Sequence, residues 1–216
     1  MIQRLISNQL EFCLIESAVL PQPILFLEEI MDKIRDKNGL TEEEFLEKYK
    51  EKNYPRPYLT ADIVVIGLKG EQKKLLLIQR GGHPFINMWA LPGGFSRQTE
   101  TMEETAHREL LEETGVNSEF ISPIGLFSKP DRDPRGWVVT QAYLCKVNFT
   151  ECKALAGDDA KNAEWFDLTV KNQIITLDNG DCIISFKYEN GKIEYISKDK
   201  LAFDHAEIIA KAIELL

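Results

Sequence analysis

From Thr60 onward the chain alternates runs of apolar residues with short polar breaks, and the runs have strand length. ADIVVIGL (61–68) and KKLLLIQR (73–80) are β-branched and leucine-rich, and Lys69-Gly70-Glu71-Gln72 between them has hairpin composition. Further strands are expected at 120–128, at VVTQAYLCKV (138–147) and at AEWFDL (163–168), the last by its aromatic content. Helical periodicity takes over at both ends. Ile24, Leu27, Ile30, Met31 and Ile34 recur at helical spacing, and Asn38-Gly39 marks a turn. Thr41 with Glu44 forms a capping box that opens a helix through about Asn53, where Tyr54-Pro55-Arg56-Pro57 stops it. DHAEIIAKAIELL (204–216) reads as an amphipathic helix with Asp204 as its N-cap. Before it, the turns Asp178-Asn179-Gly180 and Glu189-Asn190-Gly191 separate QIITL, CIISFKY and KIEYIS, so residues 171–200 are expected to form a small inserted β-meander. The organisation is therefore an N-terminal helical segment, 1–53, read as a packing or dimerisation element, and a strand-and-helix domain over 54–216.

One stretch fits neither pattern alone. GFSRQTETMEETAHRELLEETGV (94–116) sets four carboxylates and an arginine at fixed spacing between two glycines. Thr101 with Glu104 makes a second capping box, and Gly115 suits the left-handed residue past a helix end. On that helix Glu109, Glu112 and Glu113 sit at i, i+3 and i+4, so their carboxylates share a face, while Met102, Ala106 and Leu110 form an adjoining apolar stripe. Three like charges on one turn repel unless a cation binds between them. Hard oxygen donors with room for water suit Mg²⁺ or Mn²⁺ bridging to phosphates. Arg108 and Glu100 are placed to pair and pin the preceding loop onto the helix.

This stretch resembles the signature box of the Nudix hydrolases and matches it at every position. The resemblance implies a Nudix-type α/β/α sandwich with a mixed sheet, and metal-dependent cleavage of a nucleoside diphosphate linked to another moiety. It implies that Glu109, Glu112 and Glu113 are metal ligands, with the carbonyl of Gly93 as a further one, and that Arg108 and Glu100 orient the site. YPRPYLTADIVV, WALPGGF, KPDRDPRGWVVTQAYL, AGDDA and LAFDHAEII extend the resemblance to the ADP-ribose pyrophosphatase branch, over about residues 54–168 and 201–216. The N-terminal segment and the 171–200 insertion depart from that branch. The branch also resembles transcription regulators with a C-terminal winged helix, for which the chain, ending at Leu216, is expected to leave no room.

Charge and cysteines narrow the classes. A net charge of −9 over 216 residues argues against a nucleic-acid-binding face, and Glu11 and Glu16 within the N-terminal apolar stretch argue against a signal peptide or membrane span. Cys13, Cys145, Cys152 and Cys182 have no CxxC or zinc spacing and read as reduced thiols of a cytoplasmic protein, expected to be a homodimer.

Outside the box, four features bear on substrate. Lys129-Pro130-Asp131-Arg132-Asp133-Pro134-Arg135 is a stiffened loop whose Arg132 and Arg135 offer forks for phosphate, or else form a salt-bridged turn. Arg80, at a strand end, is either a phosphate contact or a surface charge. Asp158 and Asp159, after Gly157, offer a further ligand or base, or an ordinary Asx turn. Phe85, Trp89 and Phe127 are candidates for stacking on a nucleobase or for the core. The general base stays open among the box glutamates, Asp159 and Asp131. The resemblance implies ADP-ribose as substrate, giving AMP and ribose 5-phosphate. The alternatives are a dinucleotide, a nucleotide sugar, CDP-choline or an oxidised nucleotide, or else an ADP-ribose sensor without turnover.

Overall fold

Strand β1 (Tyr58–Lys69) is buried on both faces from Thr60 to Gly67, which marks it as the middle of a sheet covered on each side. The structure is a computed structural model that describes residues 34–50, 54–118, 121–152 and 160–216, and it divides into two units, Met1–Pro55 and Arg56–Leu216.

In the first unit, α1 (Glu42–Lys50) opens at the expected capping box: the Thr41 amide donates to Glu44 at 2.9 Å, and the Glu44 amide to the Thr41 hydroxyl at 3.2 Å. Residues 51–53, where this helix was expected to end, lie outside the described residues, as do Ile24, Leu27, Ile30 and Met31.

The second unit adds β2 (Gln72–Arg80), β3 (Trp89–Ala90), β4 (Gly93–Phe95), α2 (Met102–Thr114), β5 (Ile121–Phe127), β6 (Val138–Val147), β7 (Ala160–Lys171), β8 (Ile174–Asp178), β9 (Ile183–Glu189), β10 (Lys192–Tyr195) and α3 (His205–Ile213). The strands form one mixed sheet in the order β10-β9-β8-β7-β2-β1-β6-β5, with β3 on β2 and β4 on β1. β1 pairs in parallel with β6 and antiparallel with β2 and β4.

Alternation along β1 builds the layers. Ala61, Ile63 and Val65 pack with Ala106 and Leu110 of α2, while Val64 and Ile66 share the other core with Leu75, Leu77 and Ile208 and Ile209 of α3. The result is the expected α/β/α sandwich. Leu110, with no exposed surface, contributes roughly 1.5–3 kcal/mol by burial.

One expectation is extended and one differs. The inserted meander is present as β8, β9 and β10, but it is no separate appendage. β7 runs past AEWFDL to Lys171 and hands its hydrogen-bond ladder to β8, so Ile175, Leu177, Ile184 and Phe186 join the core under α3. Asp204 precedes α3 but makes no side-chain capping bond; a buried arginine claims its carboxylate instead. No helix among the described residues is long and apolar enough to cross a membrane.

Candidate functional site

Helix α2 is laid down by local chemistry. The Thr101 amide donates to Glu104 at 2.7 Å, the Glu104 amide returns a bond to the Thr101 hydroxyl at 3.2 Å, and Gly115 closes the helix at φ 67° with its amide on the Leu111 carbonyl. With Ala106 and Leu110 buried on the sheet, the acidic edge of the helix is held beside β4.

Arg108 organises that edge. Its fork grips Glu100 at 2.7 and 2.9 Å, and it also donates to Glu109 at 2.6 Å, Glu112 at 3.1 Å and the Phe95 carbonyl at 3.1 Å. Arg108 holds the Glu100 carboxyl at about 2, far below the usual range. Glu113 is different. Burial pushes its carboxyl up to about 8, the Gly93 amide donating at 2.8 Å works against this, and the nearby charges of Glu109 and Asp62 reinforce it. Burial also raises Glu109, although Arg108 pulls it down.

Both glycines of β4 are needed for close approach. A Cβ on Gly94 would overlap the Glu109 carboxylate, and one on Gly93, at φ 154°, would overlap the Ala61 carbonyl and Asp62. Gly93 sits opposite Asp62 in the ladder. Among the described residues no three acidic, His or Cys side chains already converge as a metal cluster, and Arg108 pairs with Glu109 and Glu112. The donor set nevertheless fits a hard divalent cation. Two half-buried carboxylates, Glu109 and Glu113, are raised by burial, and the glycine backbone leaves space beside one of them. Glu109, Glu112 and Glu113 would hold it.

The acids open onto a cavity of about 870 Å³, whose lining includes Asp62, Arg80, Gly93, Gly94, Arg132, Asp133, Arg135, Phe203 and His205. Arg80 leaves the end of β2, donates through Nε to the Pro84 carbonyl at 2.7 Å and lies 5.0 Å from the Phe203 ring; burial, then Arg135, lowers its pKa. Arg135 chelates Asp133 at 3.0 and 2.7 Å and stacks 4.8 Å from Phe95.

Arg132, which also lines the cavity, is engaged in ion pairs. Its fork holds Asp204 at 2.9 and 2.6 Å and reaches Asp62 at 3.4 Å, so this arginine ties loop to sheet and helix. Burial opposes its charge, but Asp204 and Asp62 raise its pKa. Asp131 is exposed, at φ 62°, and is not part of the cavity lining; Asp158 and Asp159 lie outside the described residues. Trp89 is core, edge-on to Phe166 at 4.9 Å, and Phe127 also packs on the core, while Phe85 lies edge-on to Phe203.

Residues not singled out from the sequence complete the wall. Asp62 is 7% exposed in the middle of an apolar strand, and a lone carboxylate in such a run was the available signal. His205 is buried, and its Nδ1 accepts the Leu91 amide at 2.8 Å, so the ring proton sits on Nε2, 3.7 Å from Asp62; burial lowers its pKa.

Comparison with known proteins agrees with this geometry. The NUDIX domain family matches residues 58–179. The ADP-ribose pyrophosphatase of Methanocaldococcus jannaschii is 40% identical over 154 residues, 71% of this chain and 74% of that relative. The ADPR responsive transcriptional repressor of Acinetobacter baylyi is 32% identical over 181 residues, covering 83% of this chain but 62% of the repressor, less than two thirds of its length. A MutT/nudix family protein from Enterococcus faecalis superposes with a TM-score of 0.74 at 41% identity, over 92% of this chain and 75% of that one. The NUDIX domain of Shewanella oneidensis NrtR, solved with ADP ribose, gives 0.63 at 30% identity, over 82% and 99%.

Proposed function

The chain belongs to the Nudix family, and on that premise we propose that it is a Mg²⁺- or Mn²⁺-dependent pyrophosphohydrolase. Its proposed substrate is ADP-ribose or a close nucleoside diphosphate derivative, released as AMP and ribose 5-phosphate. One observation carries the reading: a single cavity brings the acids of α2, Glu109, Glu112 and Glu113, together with Arg80 and Arg135. That combination accommodates a diphosphate and a cation and suits few other ligands.

Arg80 and Arg135 bind diphosphate oxygens and are placed to stabilise charge as it spreads during bond breaking. Glu109, Glu112 and Glu113 hold the cation, and Gly93 keeps Glu113 in place through its amide. Glu100 locks Arg108, which orients the acids around it. A divalent ion bound there supplies positive charge against the diphosphate and acidifies water. We take the protein to be a cytoplasmic homodimer acting on a small anion rather than on DNA. Its net charge of −9 and the free thiols of Cys145, Cys152 and Cys182 accord with this reading.

A second reading, an ADP-ribose-responsive binder without turnover, is favoured by the similarity to the Acinetobacter repressor and to the ADP-ribose-bound Shewanella domain. Chromatography of products from ADP-ribose, a dinucleotide, a nucleotide sugar, CDP-choline and an oxidised nucleotide, each with Mg²⁺, separates the two. AMP from ADP-ribose is the expected result. Binding of ADP-ribose with no cleavage of any compound moves the chain to the second reading.

Gly94→Ala checks the geometry. The backbone there tolerates alanine, but the new methyl must displace the Glu109 carboxylate. Turnover should fall on the order of 10²-fold, as for a 1 Å misplacement, with little change in melting temperature.

A further inference from the structure

Arg80 ends strand β2 and Arg135 lies in the loop before β6, yet both approach one ring. We propose that Phe203 sets the spacing of these two guanidinium groups and so acts as a positioning residue for the diphosphate. The proposal rests on the reading of Arg80 and Arg135 as the anion-binding pair.

Arg80 lies 5.0 Å and Arg135 5.5 Å from the Phe203 centroid. Two cations in one partly enclosed cavity repel, and a ring shared between them attracts each through its negative face. Neither arginine is fully used by the protein. Among the described residues the Arg80 side chain is hydrogen-bonded through Nε, to Pro84, and the Arg135 side chain through Nε and Nη2, to Asp133, so both keep guanidinium N–H groups for an anion.

The backbone at Phe203 is held in an unusual state. Its φ is 51°, in the left-handed region where a bulky side chain is an outlier and persists only when its surroundings enforce it. Those surroundings are visible. The Ala202 amide donates to the Trp89 carbonyl at 2.9 Å, Asp204 is gripped by Arg132, and His205 accepts the Leu91 amide. Phe85, edge-on at 4.7 Å, and His205, at 5.2 Å, confine the ring further. Anchors on both sides of a strained residue keep the ring within reach of both arginines.

The test replaces the ring in the full chain. Phe203→Leu is expected to raise KM for ADP-ribose about tenfold, within the range of one or two cation–π contacts, while kcat stays within about threefold. Phe203→Tyr, which keeps the ring, recovers most of the loss. Phenylalanine analogues carrying one, two and three fluorines at position 203 preserve shape while draining the ring face, so KM should climb along the series. Calorimetric titration with ADP and Mg²⁺ gives the same ranking without turnover. A chain that binds ADP but cleaves nothing would therefore refute the hydrolase reading and still test Phe203. A flat fluorine series, Phe203→Leu with lower melting temperature but unchanged KM and ADP affinity, or a parent protein that binds no ADP would each overturn the proposal.

Discussion

Glu113→Gln is expected to remove most turnover and, at the same time, to stabilise the metal-free protein above neutral pH. The two effects have one cause. The carboxyl normally titrates near 4.5, and burial lifts it to about 8 in the folded chain. Between those values the folded protein holds a proton that the unfolded chain has released, so stability falls as pH rises through this window and levels off above it. The loss is on the order of a few kcal/mol. Below about 4.5 both states are protonated and the effect vanishes. Glutamine mimics the protonated acid: it still accepts the Gly93 amide bond and never has to ionise. The variant should therefore melt higher than the parent at pH 8.5 without metal, and at the same temperature near pH 4. Added Mg²⁺ should raise the parent's melting temperature more at pH 8.5 than at pH 6, since the proton no longer competes, and should do little for the variant. Turnover should fall on the order of 10²–10³-fold, as when one preorganised charge is removed from a site. Calorimetric melting across pH, beside rates at saturating ADP-ribose, gives both readouts. A variant with near-parent activity, or with the parent's pH dependence of melting, would falsify the role assigned to this glutamate.

The second large effect is on the fold. Arg132→Met should destabilise the protein by about 3–5 kcal/mol, because it leaves two buried carboxylates unpaired. The Arg132 side chain is 4% exposed, and its partners Asp62 and Asp204 are 10% and 13% exposed, so water offers them little compensation. For a unit of this size that loss lowers the melting temperature by roughly 10 °C. Arg132→Lys should recover little, since an ammonium cannot span both oxygens of Asp204 as the guanidinium does at 2.9 and 2.6 Å. Adding Asp204→Leu to Arg132→Met should restore part of the stability by removing one orphaned charge. Thermal unfolding followed by circular dichroism reads all three. Equal melting temperatures for Arg132→Met and the parent would mean that the pair is no anchor.

The legible parts of this protein are those whose partners are close in sequence. Both capping boxes, the left-handed Gly115, the hairpin between β1 and β2 and the three meander strands follow from residues a few positions apart, and each was readable from local pattern. The acidic edge of α2 belongs with them, because helical spacing alone sets Glu109, Glu112 and Glu113 on one face. Arg80 and Arg135 were flagged by chemistry, yet what holds them came from elsewhere. Phe203 lies in LAFDHAEII, which carries the resemblance but no local chemistry that marks the ring, and Asp204 reads as an N-cap because capping is the usual employment of an aspartate before a helix.

What the chain determines by itself is thus the identity of its elements and the metal-grade chemistry of one helix face, since propensity, capping and periodicity act over a single turn or pleat. Only the tertiary structure decides which charges line the cavity and which are paired inside the fold. Arg132 meets Asp204 across 72 residues, and His205 meets Leu91 across 114. Such pairings depend on how the sheet and its two helix layers come together, a choice made by burial of surface far from the residues themselves.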